Sequence, residues 1–353
     1  MLTRLLSGDF PRSRFLALAL LIVFLGLAVA PFALSGARPL NVAATICVFI
    51  VLVASYDLLL GYTGIVSFAH TMFYGIGAYG VGLSLYSLGP SWGAILLGLT
   101  IALVVSLALA LVIGLFSLRV RAIFYAMITL AVASAFAILA SQLSDFTGGE
   151  DGRTFRLPEM LTPGYTLFEG EIFGTSINGR LLTYYLVFVS AVALFLFLLR
   201  VVNSPFGRVL QAIRENDFRA EALGYRTVVY RTIANCLAAL LATCAGALMA
   251  LWLRYTGPQT TLSFTIMMDI LLMVVIGGMG TLYGAVVGAA LFILAQNYLQ
   301  ELTGQASHAL AGVPLLANLF HPDRWLLWLG VLFVLSVYFF PTGIVGKLRK
   351  PNP

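Results

Sequence analysis

The sequence predicts an all-α integral membrane protein with about ten transmembrane helices, and three observations lead to this fold class. First, 61% of the 353 residues are hydrophobic and only 10% are charged, whereas about 25% of the residues of a soluble protein are charged. Second, apolar runs of about twenty residues recur along the chain, and each is long enough to cross a bilayer as a helix. Third, arginine and lysine are concentrated in alternate connecting segments.

Length and apolar composition place the spans. Their predicted limits are 14–34, 40–60, 68–88, 92–117, 122–143, 181–200, 231–252, 265–279, 283–300 and 325–341. The first run follows three arginines, as a secretory signal does. Because it is long enough to span and no convincing small-residue cleavage site follows it, we expect it to be retained as the first helix.

The distribution of basic residues predicts the orientation. With the N-terminus inside, the outer segments contain six of the 20 cationic residues. These six are Arg38, Arg153, Arg156, Arg180, Arg254 and Arg324. The other cations lie in inner segments, so the bias predicts that both termini are cytoplasmic. The three cysteines all lie in apolar runs and predict neither a disulfide framework nor a metal site.

Two long hydrophilic segments interrupt the spans. Residues 144–180 are acidic, rich in turn-forming residues and predicted to lie outside as a periplasmic loop. Residues 201–230, which we call the coupling segment, are basic and predicted to lie inside. Loops of this length in compact proteins usually have a function.

The coupling segment predicts two short amphipathic helices. Ser204-Pro205 is typical of a helix N-cap followed by proline at the first position. The next apolar residues fall at helical spacing: Phe206, Val209, Leu210 and Ile213. Asn216 can cap a second helix, which Gly224 can close. A helix resting on anionic lipid is the alternative, but acidic residues alternate with the basic ones, which favours docking of a protein.

The coupling segment resembles the EAA region of binding-protein-dependent ABC importers. Glu221-Ala222 followed by Gly224 occupies the positions of that motif's glutamate, alanine and glycine. Together with Gly207-Arg208 and Ala212-Ile213-Arg214-Glu215-Asn216, the segment is similar to the LivM-type permeases of branched-chain amino acid transporters.

Three other segments carry the same resemblance. Leu58 to Gly64, with Ser67-Phe-Ala-His70 and Gly75 to Tyr79, is similar to the family's second and third spans. Thr147-Gly-Gly149 with Asp151-Gly152 is similar to its external loop, and Val274 to Gly284 to its eighth and ninth spans. The resemblance extends from about residue 40 to residue 346.

The resemblance implies a permease subunit of the bacterial inner membrane that is not itself an enzyme. Its expected partners are a second, LivH-like permease, two ABC ATPases and a periplasmic solute-binding protein, with no nucleic acid. The sequence lacks a G-x-x-x-x-G-K-[ST] loop, so we expect no cofactor in this chain and Mg-ATP bound by the partners. The residues implied in coupling are Arg208, Ala212, Ile213, Arg214, Glu215, Asn216, Glu221, Ala222 and Gly224.

A few residues within the spans are candidates for the substrate path. Asp57 and Asp269 are the acids predicted inside spans, where a charge is costly and often functional; helix-end positions or hydrogen bonds to neighbouring helices are the alternative. Paired glycines can unwind a helix and expose carbonyl groups to a cavity. Gly61 and Gly64, close to Ser67 and His70, are such a pair, although a simple turn and a hydrogen-bonded buried histidine fit equally.

Other glycines predict helix packing. Gly280, Gly284 and Gly288 are four residues apart and are expected on one helix face, where they allow close approach of two backbones. Gly75 to Gly80 matches G-x-G-x-x-G, but an apolar helix surrounds it, which excludes a dinucleotide site. The aromatic residues of the third span (Phe68, Phe73, Tyr74 and Tyr79) could face lipid.

Several functions fit the pattern to different degrees. Branched-chain amino acids are the expected substrates, and urea, amides or other small organic acids and amino acids are the alternatives within the same architecture. An ion-coupled secondary transporter would use Asp57 or Asp269 as its ion site but leaves the coupling segment unexplained. An intramembrane aspartyl protease is disfavoured, because no G-x-G-D sequence surrounds Asp269.

Overall fold

The computed structural model describes residues 14–33, 36–117, 122–172, 175–309 and 318–348. Helices dominate these ranges. In chain order they are α1 (Arg14–Ala33), α2 (Ala37–Thr63), α3 (His70–Leu88), α4 (Trp92–Ser117), α5 (Ala122–Gln142), α6 (Ser144–Thr147), α7 (Gly179–Val202), α8 (Pro205–Glu215), α9 (Asp217–Ala222), α10 (Thr227–Leu253), α11 (Pro258–Thr261), α12 (Phe264–Gly277), α13 (Leu282–Ala309), α14 (Trp325–Phe339) and α15 (Gly343–Leu348).

The fold class predicted from the sequence is confirmed. Among the described residues, eight helical stretches are long and apolar enough to cross a membrane. They are Ala37–Thr63, Trp92–Leu115, Ile123–Gln142, Gly179–Val202, Thr227–Leu253, Pro258–Gly277, Leu282–His308 and Pro322–Gly346. The two other predicted spans coincide with α1 and α3, which fall outside this set. The total of ten spans and the orientation therefore stay predictions.

The core is formed where α10 packs against α2, α3 and α4. Small residues bring these backbones together, because a Cβ on Gly77 would lie 1.9 Å from the carbonyl oxygen of Thr243, and one on Gly246 would lie 1.8 Å from that of Tyr74. The Gly75–Gly80 match therefore lies inside a packed helix. The expectation that the aromatic residues of the third span face lipid is wrong for Phe73, Tyr74 and Tyr79, which are buried.

Gly280, Gly284 and Gly288, which were expected on one helix face, do not share one helix. Gly280 lies in the connection before α13, with a φ of 82°, so the predicted face is reduced to Gly284 and Gly288. These two allow α12 and α13 to approach closely, since a Cβ on Gly288 would lie 2.1 Å from the carbonyl oxygen of Met273. The expected role in packing is therefore filled by two glycines of the three.

Two short antiparallel strand pairs add structure that the sequence analysis did not predict. Strand β1 (Arg153–Thr154) pairs with β4 (Tyr255–Thr256), and β2 (Thr166–Ile172) pairs with β3 (Thr175–Asn178). The first pair joins the long acidic segment to the end of α10. The segment predicted as a loop at 144–180 is therefore tied to the helix bundle.

The connecting segments gather at two opposite ends of the helices. At one end Arg180, at the start of α7, donates to the carbonyl oxygen of Ala37, and Arg38 pairs with Glu301. At the other end the coupling segment, the connection after α2 and the connection after α12 meet. This grouping matches the alternation that the charge pattern predicts, and it leaves the side of the membrane undecided.

Candidate functional site

The coupling segment folds into two short helices, α8 and α9. Ser204 occupies the predicted N-cap position, with Pro205 following it, but its hydroxyl donates to Val201 rather than capping the helix. Asn216 caps α9, since its Oδ1 accepts from the backbone N–H of Arg219 at 2.9 Å. Gly224 follows the end of α9 with a φ of 92°, as expected for a closing glycine.

The inner face of α8 is anchored to the bundle. Leu210 and Ile213 are fully buried, and Phe206 stacks on Tyr230 of α10 with ring centroids 5.7 Å apart. A Cβ on Gly207 would lie 2.0 Å from the carbonyl oxygen of Val202, so this turn accepts only glycine without rearrangement. Displacement of α8 must therefore move the helices that it contacts.

Arg214 connects α8 to the first glycine pair. Its Nη1 donates a hydrogen bond to the carbonyl oxygen of Gly61, in the last turn of α2. A Cβ on Gly64 would lie 3.3 Å from Cγ of Arg214, so the arginine stem passes directly over this glycine. Because carbonyl groups at the C-terminal end of a helix lack partners in the next turn, a guanidinium there stabilises the helix end.

Asp57 connects the last turn of α2, which contains Gly61, to Gly280 in the connection after α12. This carboxylate is 1% exposed, and its Oδ1 accepts a hydrogen bond from the backbone N–H of Gly280 at 2.8 Å. A Cβ on Gly280 would in turn lie 2.8 Å from Nη1 of Arg214 and 2.9 Å from the carbonyl oxygen of Gly61. The ends of α2 and α12 and the helix α8 therefore meet at one point.

We call this meeting point the junction cluster: Asp57, Gly61, Gly64, Arg214 and Gly280. It joins residues of the candidate coupling set to residues of the candidate substrate-path set. Gly280 was predicted only as a helix-packing residue, and its N–H reaches Asp57 because the positive φ turns the backbone toward α2. That conformation favours glycine. A glycine in a short connection between two spans is therefore the sequence signal that could have marked Gly280 as a turn residue.

The far end of the coupling segment is fastened by two acidic side chains. Oε1 of Glu221 accepts from the Thr227 hydroxyl at 2.7 Å, and Asp217 forms an ion pair with Arg231 at 2.8 Å. Both partners lie in the first two turns of α10. Thr227 and Arg231 were not among the predicted site residues, because a hydroxyl and a cation at the start of a span give no distinctive pattern.

The outer surface of the coupling segment is open. Phe218 is 83% exposed and Leu223 is 73% exposed. All members of the predicted coupling set except Ile213 are exposed on the same segment: Arg208, Ala212, Arg214, Glu215, Asn216, Glu221, Ala222 and Gly224. Exposed apolar residues accompanied by polar and charged ones are typical of a surface that binds another protein.

Ser67 and His70 lie in the core rather than on an open surface. His70 is 1% exposed, and its Nε2 lies 2.8 Å from the hydroxyl of Ser55. The ring also packs against Tyr56, with centroids 5.3 Å apart. Ser67 is buried as well, and its hydroxyl accepts from the backbone N–H of Ala69. The hydrogen-bonded histidine of the alternative interpretation fits this environment.

Asp269 is separate from the junction cluster. It lies eight residues before Gly277 on α12, about 12 Å along the helix axis, and lines a largely apolar groove of about 600 Å³ between α12, α13 and α14. Asp57 and Asp269 therefore do not form a pair.

Comparison with known proteins places most of the chain in one family. Residues 38–337 match the family described as "Branched-chain amino acid transport system / permease component". The permease protein LivM of Salmonella typhimurium is 27% identical over 334 residues, covering 90% of this chain and 76% of that protein. LivM of Escherichia coli is 27% identical over 86% of this chain and 73% of its own length. LivH of Salmonella typhimurium is 25% identical over 247 residues, which cover 68% of this chain and 78% of that protein. No solved structure matches significantly.

Proposed function

Since the chain belongs to the family of branched-chain amino acid transport system permease components, we propose that it imports branched-chain amino acids as one subunit of an ABC transporter of the bacterial inner membrane. In this proposal two partner ATPases bind and hydrolyse Mg-ATP. A periplasmic binding protein delivers the substrate. The chain itself catalyses no reaction.

The observation that carries the proposal is the route from the open surface of the coupling segment to the spans. Phe218 and Leu223 offer an apolar docking surface for an ATPase. The buried face of α8 makes α8 and the bundle move together. Arg214 then transmits the displacement to the end of α2, and Asp57 passes it to the end of α12. Nucleotide-driven movement of the ATPases can in this way open or close a path between spans.

Branched-chain amino acids are the substrates that the names of the relatives indicate. LivM of Salmonella typhimurium and of Escherichia coli are both described as parts of a high-affinity branched-chain amino acid transport system. A pathway between mostly apolar helices suits a small zwitterion with an apolar side chain. Urea, amides and other small amino or organic acids remain the alternative cargo for the same mechanism.

The second permease subunit is proposed to be a different chain. Both LivM and LivH proteins match this sequence, and their names describe two permease proteins of one kind of transport system. A pair built from a LivM-like and a LivH-like chain would place two coupling segments side by side, one for each ATPase.

The proposal is tested by reconstitution of the chain with its permease partner and ATPases in vesicles, with binding protein and labelled leucine supplied outside. Uptake should require ATP inside the vesicle. Replacement of Phe218 and Leu223 by serine should abolish co-purification of an ATPase and stop uptake. Replacement of Leu326, another exposed apolar residue, by serine is the matched control and should leave both intact.

Two results would contradict the proposal. Uptake by the chain without an ATPase, driven by an ion gradient, would favour the secondary transporter instead. Retention of the ATPase by the Phe218 and Leu223 variant would show that docking occurs elsewhere. One oxygen of Asp57 accepts a hydrogen bond from the backbone of Gly280, which supports a structural role for this carboxylate.

A further inference from the structure

A second groove lies at the end of the bundle opposite the coupling segment. It has a volume of about 550 Å³ and runs between α3, α4 and α5 beneath α6. The wall on α3 follows one helix face: Ile76, Tyr79, Gly80, Leu83 and Tyr86. Ten residues separate the first of these from the last, so the groove is about 15 Å long. The body of this groove is apolar.

The mouth of the groove carries one charge of each sign. The guanidinium of Arg153 lies over the ring of Tyr86, 4.3 Å from its centroid, and donates to the backbone carbonyl oxygen of Asp145. Asp145, which is exposed, lines the same mouth. Within the described part of the chain neither side chain belongs to an ion pair. A cation and an anion are therefore both available to a ligand at the mouth.

Charge and shape together define the ligand. The mouth fits a group that carries a negative and a positive charge close together, and the groove below fits a long apolar chain. A free amino acid has the zwitterionic end but is too short to fill about 15 Å of groove. A membrane phospholipid has both parts, and in a membrane-spanning chain a groove between spans is open to lipid.

We propose that this groove binds an aminophospholipid of the phosphatidylethanolamine type. The phosphate binds Arg153, the primary ammonium binds Asp145, and one acyl chain lies along the face of α3 from Tyr86 toward Ile76. The aromatic ring under Arg153 holds the guanidinium at the level of the lipid headgroups. This inference does not depend on the proposed transport function.

The test is native mass spectrometry of the full-length chain, titrated separately with phosphatidylethanolamine, phosphatidylcholine and phosphatidylglycerol. The wild-type chain should retain phosphatidylethanolamine most strongly, because only this headgroup combines the phosphate with an ammonium that donates hydrogen bonds. Arg153→Gln should weaken binding of all three lipids about tenfold, as expected for loss of one charged hydrogen bond. Asp145→Asn should remove the preference for phosphatidylethanolamine over phosphatidylglycerol.

Matched variants separate the site from general effects of charge and bulk. Arg324→Gln and Glu150→Gln remove exposed charges outside the groove and should change nothing. Val105→Trp fills the groove and should reduce retention of every lipid, whereas Val112→Trp, two turns further along α4, should not. Added leucine should not displace the lipid.

Three outcomes would overturn the proposal. The first is equal retention of the three lipids by the wild-type chain. The second is unchanged lipid binding in Arg153→Gln and Val105→Trp. The third is displacement of the lipid by millimolar leucine, which would reassign the groove to the free amino acid.

Discussion

Arg214 donates a hydrogen bond to the carbonyl oxygen of Gly61, a residue 153 positions earlier in the chain. The donor lies on the short helix α8, and the acceptor lies in the last turn of α2, which is the most buried of the eight candidate spans among the described residues. This bond is a direct physical link between the coupling segment and a candidate substrate path. Its loss should uncouple nucleotide hydrolysis from transport without unfolding either part.

Arg214→Ala is therefore expected to reduce ATP-driven uptake on the order of tenfold, the effect of losing one charged hydrogen bond. The ATPase should still co-purify and hydrolyse ATP, because the exposed docking surface is unchanged. The measurement is the number of leucine molecules taken up per ATP hydrolysed, with both rates determined in the same vesicles. This ratio should fall in Arg214→Ala. Arg226→Ala, an exposed arginine of the same segment, is the control. An equal fall in both rates would mean that Arg214 acts in docking instead.

Asp57 is expected to tolerate one substitution and not another. Asp57→Asn keeps a side-chain oxygen that can accept from Gly280, so folding and uptake should persist. Asp57→Ala leaves the partly buried N–H of Gly280 without that acceptor, which costs about 1 kcal/mol, and should lower the melting temperature. Fluorescence-detected thermal unfolding and uptake are the measurements. Loss of uptake in Asp57→Asn with normal stability would instead indicate a direct role for the charge.

Gly61→Ala is expected to prevent normal assembly of the junction cluster. The added methyl group would lie 2.0 Å from Oδ1 of Asp57 and 2.3 Å from the backbone nitrogen of Gly280. Folded yield should fall sharply, because backbone cannot move aside as a flexible side chain can. Gly330→Ala, where nothing lies within 4 Å of the new Cβ, should be neutral or slightly stabilising. Similar yields of the two variants would contradict the cluster geometry.

The sequence predicts the membrane-spanning helices well because the signal for a span is local. Apolar runs identify helices such as α2 and α7 within a few residues, because each must satisfy its own backbone in lipid. Helix caps such as Asn216 are equally local. The Arg214–Gly61 bond, the Gly280–Asp57 bond and the β1–β4 pair join residues far apart in the chain. No local pattern encodes such contacts, so they appear only when the helices are packed.

Ser55 and His70 give a test of whether the buried histidine belongs to the substrate path. Ser55→Ala removes the hydroxyl that lies 2.8 Å from Nε2 of His70. The free energy of unfolding should therefore fall by about 1–3 kcal/mol. The KM for leucine uptake should not change if this contact only supports the core. Thr45→Ala, on the same helix with a hydroxyl that donates to the backbone carbonyl of Asn41, should have little effect. A changed KM would place His70 next to the substrate.

Glu221 is expected to hold the coupling segment to the start of α10, in addition to lying on the exposed surface of that segment. Glu221→Gln retains an oxygen for the hydroxyl of Thr227 and should preserve uptake. Glu221→Lys places a cation where that acceptor lies, so the segment should detach from α10 and uptake should be lost while membrane insertion persists. Thr227→Val should reproduce part of this loss. Limited proteolysis across residues 216–227 checks the detachment, and an uncleaved Glu221→Lys segment would contradict it.

The contact between Gly278 and Gly343 restricts where the protein can be altered for purification. A Cβ on Gly343 would lie 2.1 Å from Cα of Gly278, so the start of α15 rests against the connection that also contains Gly280. A truncation that removes α15 would uncover that connection. Affinity tags should therefore be attached beyond this helix through a flexible spacer, since shortening the chain would disturb the backbone that holds Gly280 against Asp57.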